Sequence, residues 1–258
     1  MSLKICFIGA GNLATNLATA LQNRIGSVIQ VYSRTEESAR LLADKLHTKF
    51  TNQVADISSG ADIYFIALKD SVVSQVLSQL HLKNKLLVHC SGSLPMSALK
   101  NYSENTGVFY PLQTFSKNRK VNFSEIPVFI EANTKQNEEI LAGLARKISD
   151  KVSVIDSSKR KSLHVAAVFA CNFVNHFYTL AADYLNTQEI SFDVLHPLIE
   201  ETARKAQEMD PAKAQTGPAV RFDRNIIDDH LKALETFPEM KELYNSISKS
   251  IFERHQKN

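Results

Sequence analysis

The first residues that could do chemistry form a glycine-rich turn near the start of the chain. Gly9 and Gly11 follow an apolar stretch, and Ala14 comes three residues later, where a helical pattern begins. Gly9 permits a tight turn, Gly11 lets the backbone approach a pyrophosphate, and Ala14 allows close packing of helix on strand. The N–H groups of Asn12 and Leu13 would then face the anion. The spacing predicts a dinucleotide site, and the alternative is a purely structural glycine turn.

The end of the second apolar strand indicates which dinucleotide would bind. Val28–Tyr32 runs into Ser33, Arg34 and Thr35, where an NAD site normally carries Asp or Glu for the ribose hydroxyls. Hydroxyls and a planar guanidinium suit a 2′-phosphate instead, so the sequence predicts NADP. The alternative is that Thr35 caps the next helix and Arg34 is a solvated charge, although Thr35 lacks the partner that completes a capping box.

Further loops follow strands of the same predicted sheet and would border a bound cofactor. Ligands of an open parallel sheet lie outside the carboxyl ends of its strands. Gly92 in addition suits close approach of the backbone to a ligand. Ordinary turn chemistry is the alternative for the Ser-Gly-Ser sequence that contains it. The residues expected at the cofactor in these loops are Ala67, Leu68, Lys69, Ser91 and Gly92.

A long helix predicted in the second half carries polar side chains beside an apolar stripe. His164 could donate or remove a proton and Asn172 could orient a substrate, as hydride transfer to a small molecule requires. In a continuous α-helix, His164 and Asn175 would differ by about 20° around the axis, as would Lys161 and Asn172. The alternative is a core histidine with amides that bond neighbouring helices.

The elements that must position these residues fall into two groups. Strands and helices alternate as far as residue 156, which predicts an α/β domain with a parallel sheet, and residues 157–258 predict an all-helical domain. The predicted strands are Leu3–Ile8, Val28–Tyr32, Thr48–Thr51, Ala61–Ala67, Lys85–Cys90, Val108–Tyr110, Val128–Ile130 and Val152–Ile155. The predicted helices are Asn12–Asn23, Glu36–Leu46, Ser71–Leu80, one from Pro95 that separates the two strands after Cys90, Lys135–Ile148, one from Ser157 or Ser158 to Leu185, Phe192–Met209, Ile226–Leu234 and Met240–His255.

Composition describes an ordinary globular protein and excludes several classes. The 258 residues are 44% hydrophobic with a net charge of +3, which gives no reason to expect nucleic acid or an anionic membrane as partner. No apolar run long enough to span a membrane and no secretory signal is expected, so a cytoplasmic location is predicted. Cys6, Cys90 and Cys171 match no metal spacing. A nucleophilic Cys90 would need a base, and His89 points to the opposite strand face.

The chain resembles, over almost its whole length, a family of predicted reductases that join a Rossmann-like NADP-binding domain to a helical domain of unknown function. It is more distantly similar to pyrroline-5-carboxylate reductase and to the 6-phosphogluconate and β-hydroxyacid dehydrogenases. The motifs that carry the resemblance are Gly9–Ala14, Ala67–Asp70, His89–Ser93, Tyr110–Phe115, Leu163–Ala167, Cys171–Phe173, Thr216–Pro218 and Arg221–Asp223. In two of these motifs the chain departs from the family: Tyr110 stands where the family tends to have His, and Phe222 where it tends to have Gly.

The resemblance implies a Rossmann domain, NADP, and a helical domain like that of 6-phosphogluconate dehydrogenase. Large apolar side chains on several faces of the helical half, among them Phe173 and Phe177, predict a homodimer. We therefore expect an NADP-dependent oxidoreductase that moves hydride between nicotinamide and a C=O or C=N group held between the domains. His164 would be the general acid/base, Asn172 the orienting amide and Thr216 a supporting hydroxyl. The alternative is a non-catalytic NADP sensor.

Overall fold

The structure, a computed structural model, describes residues 3–256. Eight strands form one sheet in the order β3-β2-β1-β4-β5-β6-β7-β8. Their bounds are β1 Ile5–Ile8, β2 Val28–Tyr32, β3 Lys49–Thr51, β4 Ile63–Ile66, β5 Leu86–His89, β6 Asn105–Pro111, β7 Val128–Ala132 and β8 Val152–Val154. The predicted strands all form, and the Rossmann-type fold class is confirmed.

One pair of neighbouring strands is antiparallel, which the sequence prediction missed. β6 pairs antiparallel with β7, whereas every other neighbouring pair is parallel. The helix expected from Pro95, between these two strands, does not form. The residues after Pro95 form the 3-10 turn Met96–Leu99, which precedes β6, and a loop with the 3-10 turn Phe123–Glu125 connects β6 to β7. An antiparallel pair needs no helical crossover, so a loop can make this connection.

The central strands are buried on both faces, so their sequences are continuous apolar runs. β1, β4 and β5 have no exposed residue, as expected for strands covered on both sides. Phe7 stacks on Phe65 with ring centroids 5.0 Å apart, and Phe65 meets Phe109 edge-on at 5.4 Å. These rings join β1, β4 and β6 in one core, which holds the carboxyl ends of the strands in fixed register.

The helices differ from the prediction mainly at their ends. The expected helix Ser71–Leu80 shortens to α3, and Asp156, rather than a serine, caps α5 by accepting a hydrogen bond from the Lys159 N–H at 2.8 Å. The bounds are α1 Asn12–Ile25, α2 Glu36–Leu46, α3 Val73–Leu77, α4 Lys135–Arg146, α5 Ser157–Ala167, α6 Val174–Asn186, α7 His196–Glu208, α8 Pro211–Ala214, α9 Pro218–Arg221, α10 Arg224–Ala233 and α11 Pro238–His255.

A π-helical segment, Val168–Phe173, joins α5 to α6. The wider turns of a π-helix change the angular phase of the residues that follow. The predicted alignments of His164 with Asn175 and of Lys161 with Asn172 assumed an α-helix throughout, so they do not hold as calculated. No helical propensity distinguishes the two geometries over so short a stretch, which is why the sequence did not reveal the segment.

The chain packs as two compact units, one ending at Cys171 and the other beginning at Asn172. The whole sheet and α5 belong to the first unit, and the second consists of helices in the part that the structure describes. The sequence-based boundary after residue 156 marked the end of the last strand. α5 packs with the sheet because its side chains are bound there.

A buried arginine anchors α5 to the sheet. Arg160 is only 1% exposed and forms an ion pair with Glu131 on β7. Its guanidinium also donates to the Leu94 carbonyl at 2.6 Å and to Ser157 Oγ at 3.1 Å. Ser157 Oγ in turn donates to Glu131 and accepts the Met96 N–H at 3.1 Å. This network, here called the Arg160 anchor, ties α5, β7 and the loop after β5 together.

One helical stretch meets the length and composition of a membrane span, which the sequence analysis did not expect. Ser157–Asn186 spans 30 residues with a window of mean hydropathy 1.3. A single such stretch is weak evidence, because a packing helix of a soluble protein meets the same criteria. His164 and Asn172 also place polar groups within it.

We predict that His89 makes stability fall in acid. His89 is 1% exposed, and burial together with the positive charge of Arg160 lowers its pKa from 6.5 to about 3. The unfolded chain therefore takes up this proton first as the pH falls. Between pH 6.5 and about 3, this histidine should lower the free energy of unfolding by up to about 1.4 kcal/mol per pH unit.

Denaturant unfolding at several pH values checks this prediction, with His89→Asn as the variant. Asparagine keeps an acceptor for the Ser91 N–H, which His89 Nδ1 accepts at 3.2 Å, but it does not titrate. The variant should lose stability less steeply with falling pH, whatever its stability at neutral pH. Equal slopes for both proteins would contradict the prediction.

Candidate functional site

The turn between β1 and α1 requires glycine at position 9. Gly9 has φ +124°, and an added Cβ would lie 2.3 Å from the carbonyl oxygen of Ala67. The Gly9 N–H donates to the Tyr32 carbonyl at 2.8 Å, and the Ala67 N–H donates to the Ile8 carbonyl at 2.9 Å. The turn is therefore pressed between the ends of β2 and β4, where the strand order reverses. Such a reversal is where doubly wound sheets bind ligands.

The N-terminus of α1 is open to an anion. Gly11 is the cap residue, no side chain makes a capping bond, and the first turn carries no acidic residue. An added Cβ on Gly11 would meet nothing within 4 Å, so free space lies in front of the helix. Asn12 is exposed and Leu13 half-buried. Unsatisfied N–H groups and the helix dipole both favour a phosphate here. These residues fit the pyrophosphate of a dinucleotide.

The end of β2 presents a guanidinium and hydroxyls. Arg34 and Thr35 are exposed and Ser33 is half-buried. Thr35 is the cap residue of α2, yet its hydroxyl makes no capping hydrogen bond, so capping does not account for it. Arg34 takes part in no ion pair in the part of the chain that the structure describes. The residues at this strand end fit the 2′-phosphate of NADP.

The loops after β4 and β5 lie at the same edge of the sheet. Ala67 and Leu68 are half-buried and Lys69 is exposed. Ser91 Oγ donates to Asp70 at 3.0 Å and accepts the N–H groups of Ser93 and Leu94. The Ser91 hydroxyl is thus engaged both within its own loop and with the loop after β4. This matches the turn-chemistry alternative for its side chain and joins the two loops through Asp70.

His164 lies against the loop after β5. An added Cβ on Gly92 would come within 2.6 Å of His164 Cγ and Nδ1, so only glycine lets the imidazole approach the backbone this closely. The hydroxyl of Tyr110 lies 3.0 Å from His164 Nδ1, and the two rings meet edge-on with centroids 6.1 Å apart. Gly92, Tyr110 and His164 are here called the His164 cluster.

The electrostatics of the cluster keep Tyr110 protonated. Burial raises the pKa of the Tyr110 hydroxyl, and the charge of Arg160 partly opposes that shift.

Burial also raises the pKa of the Cys90 thiol, which opposes a thiolate at neutral pH. The described residues contain no group of His, Cys, Asp and Glu arranged to hold a metal ion. The chemistry that this edge can offer is therefore hydrogen bonding and proton transfer beside an anion-binding turn.

Two predicted site residues belong to the second unit. Asn172 is exposed and lies in the π-helical segment. Thr216 is exposed in the loop before α9 and lines an apolar cavity of about 580 Å³ within that unit, together with Tyr184 and Tyr244. The roles of Asn172 and Thr216 remain predictions.

Sequence reasoning missed the partners of His164. Tyr110 stood out only as a departure from a family pattern, and Gly92 was assigned to the cofactor rather than to the histidine. One signal was available for Arg160: it precedes His164 by four residues, so both lie on one side of the helix. An arginine on the helix side that packs on a sheet indicates a buried partner.

Comparison with known proteins places the chain in a family. Residues 4–92 match the family model described as coenzyme F420-dependent NADP oxidoreductase, and residues 126–251 match a domain of unknown function, DUF2520. A solved Bacteroides fragilis protein, provisionally designated an NADP oxidoreductase, is 49% identical over 98% of both chains, with a TM-score of 0.95. No curated protein sequence matches the chain.

More distant structures share the fold. An imine reductase from Myxococcus stipitatus, solved with NADP⁺, is 16% identical over 98% of this chain and 93% of its own, with a TM-score of 0.64. A pyrroline-5-carboxylate reductase from Coxiella burnetii is 15% identical over 100% of this chain and 98% of its own, with a TM-score of 0.58. At these identities the comparison concerns the fold alone.

The sheet, the glycine turn and the open helix N-terminus define a dinucleotide-binding fold, and the matches identify the chain as a dinucleotide-dependent oxidoreductase. The chain belongs to the same family of NADP oxidoreductases as the Bacteroides fragilis protein, and this chain combines the two matched domains. The predicted family, the predicted enzyme class and the predicted cofactor, NADP, are thereby confirmed.

Proposed function

We propose that the protein transfers hydride between the nicotinamide of NADP and a C=O or C=N group of a small metabolite, with His164 as the general acid/base. The observation that carries the proposal is the His164 cluster. A half-buried imidazole, bound to Tyr110 and pressed on Gly92, lies at the sheet edge where the cofactor loops end. Bound NADP supplies the hydride chemistry, and the imidazole holds or moves the proton at the reacting oxygen or nitrogen.

The remaining residues bind and orient the cofactor and substrate in this proposal. Gly9, Gly11, Asn12 and Leu13 hold the pyrophosphate, and Ser33, Arg34 and Thr35 hold the 2′-phosphate. Ala67, Leu68, Lys69, Ser91 and Gly92 form the wall beside them, and Asn172 and Thr216 contact the substrate. Two proteins of the same fold are an imine reductase and a pyrroline-5-carboxylate reductase, which favours a C=N or C=O substrate class.

Arg34 should decide the preference for NADPH over NADH. A guanidinium that forms charge-assisted bonds to the 2′-phosphate contributes only to NADPH binding. We expect Arg34→Ala to weaken NADPH binding by about 1.5–3 kcal/mol, roughly 10–100-fold, and to leave NADH binding nearly unchanged. Fluorescence titration of both cofactors measures this, with the exposed Arg40 of α2 as Arg40→Ala control. An equal loss for both cofactors would reject the assignment.

His164 should matter for turnover and little for cofactor affinity. A screen of ketones, aldehydes and cyclic imines for NADPH oxidation supplies the substrate, and a protein that binds NADPH tightly but consumes none would instead be the sensor. With a substrate in hand, His164→Asn should lower turnover roughly 10²–10⁴-fold and leave the Kd for NADPH nearly intact. A core histidine would give the opposite pattern, with a lower Tm and an active folded fraction.

We expect the protein to be a homodimer. Large apolar side chains remain exposed on helical elements of a single chain, including Val165 at 51%, Val194 at 61% and Leu198 at 62%. Exposed apolar surface of this extent indicates an interface, and a second copy of the chain is the simplest symmetric partner. Light scattering at micromolar concentration should give twice the chain mass of 28.9 kDa, and the single-chain mass would count against the proposal. A cytoplasmic location also remains a prediction.

A further inference from the structure

The hydrogen bond between Tyr110 and His164 determines which ring nitrogen of the histidine can exchange a proton. We propose that Tyr110 is a positioning residue that holds neutral His164 in the tautomer protonated at Nε2, so that Nε2–H delivers the proton when the substrate is reduced. The inference rests on the proposed role of His164, but its central claim concerns the protein alone.

The direction of the hydrogen bond follows from what each group can donate. Tyr110 Oη and His164 Nδ1 are 3.0 Å apart, and burial raises the pKa of the phenol, so the phenol keeps its proton at neutral pH. Within the described residues, His164 is the only hydrogen-bond partner of this hydroxyl. If Nδ1 carried a hydrogen, the buried phenol proton would lack a protein acceptor. The phenol therefore donates, Nδ1 accepts, and the ring hydrogen lies on Nε2.

The backbone fixes the orientation of the ring. An added Cβ on Gly92 would meet Cγ and Nδ1 at 2.6 Å and Cβ of His164 at 2.9 Å, so the loop lies against that side of the ring. A ring rotated by half a turn would bring a carbon to the phenol and lose the hydrogen bond. No hydrogen bond occupies Nε2 among residues 3–256, and the side chain is only half-buried. Nε2–H is thus the donor available for a substrate.

The Arg160 anchor holds His164 and Tyr110 at hydrogen-bonding distance. Arg160, one helical turn earlier, is fixed by Glu131 on β7 and by the Leu94 carbonyl. Tyr110 lies in β6, the strand between β5 and β7. Both partners of the hydrogen bond are therefore carried by elements joined through one sheet, so neither can withdraw without breaking buried contacts.

Delivery of the proton also explains why a phenol stands at Nδ1. A neutral imidazole that lost the Nε2 proton would become an unstable anion unless Nδ1 gained one at the same time. Bound NADPH would supply the hydride to the substrate carbon. At the protein, the Nε2–H bond of His164 breaks and an O–H or N–H bond forms on the substrate. The phenol O–H bond breaks and Nδ1–H forms. The charge of Arg160 offsets part of the cost that burial imposes on the phenolate, and the phenolate takes a proton from water afterwards.

Nitrogen NMR of the whole protein tests the tautomer without substrate or cofactor. In protein labelled with ¹⁵N-histidine, the His164 signals are assigned as those that His164→Asn removes. We expect Nδ1 to resonate as an unprotonated ring nitrogen and Nε2 as a protonated one at neutral pH. In Tyr110→Phe the Nδ1 signal should move towards the average of two exchanging tautomers. A protonated Nδ1 in the wild type would overturn the proposal.

A matched variant separates this effect from the loss of any buried hydroxyl. Tyr64 is fully buried in β4 and donates to the Ser58 carbonyl at 2.6 Å, so Tyr64→Phe removes a comparable bond elsewhere. It should leave the His164 signals unchanged. With a substrate, Tyr110→Phe should lower kcat roughly 10–100-fold with KM and NADPH affinity unchanged. Unchanged kcat would reject the relay, whereas inactivity of the wild type on every compound would reject only the proposed function.

Discussion

The ion pair between Arg160 and Glu131 is the interaction on which the arrangement of the site depends. A guanidinium that is 1% exposed has lost its hydration, so its partners must lie in fixed places, and removing one of them would leave a buried charge. Its partners come from β7, from the first turn of α5 and from the loop after β5. One helical turn after Arg160, the same helix carries His164. The position of the histidine is thus a consequence of where the arginine can be satisfied.

The same charge acts on the other titratable groups at this edge of the sheet. It lowers the pKa of His89, which burial already depresses, and it opposes the rise in the pKa of Tyr110. His89 remains neutral and accepts the Ser91 N–H, which shapes the loop that contains Gly92. Gly92 in turn leaves the space that His164 fills. The buried cation and burial together keep His89 neutral, whereas Tyr110 stays neutral because burial outweighs the effect of the cation. Hydrogen bonds of the neutral His89 then shape the loop.

The sequence predicted the elements well where local chemistry determines them. The apolar runs gave every strand, and helix Glu36–Leu46 was predicted with its observed bounds, because burial on both sheet faces and helix periodicity leave clear patterns. The glycine turn was found because φ +124° at Gly9 restricts the residue type. The antiparallel pairing of β6 with β7 and the π-helical segment were missed, since both depend on how distant parts of the chain pack. Local residue preferences do not depend on such packing, so they cannot predict it.

The site shows the same division between local and distant causes. The gathering of these loops at one edge could be predicted because the carboxyl ends of parallel strands meet there. The hydrogen bond from Tyr110 to His164 joins positions 54 residues apart, so spacing in the sequence could not reveal it. Tyrosine suits this place for a physical reason: a phenol is long enough to reach Nδ1 from the strand, stays neutral when buried, and can both give and accept a hydrogen. A carboxylate at position 110 would favour Nδ1–H and would leave Nε2 as a base, which suits the oxidation of an alcohol. A phenol favours Nε2–H, so the proposed role of His164 is that of a proton donor, which suits reduction.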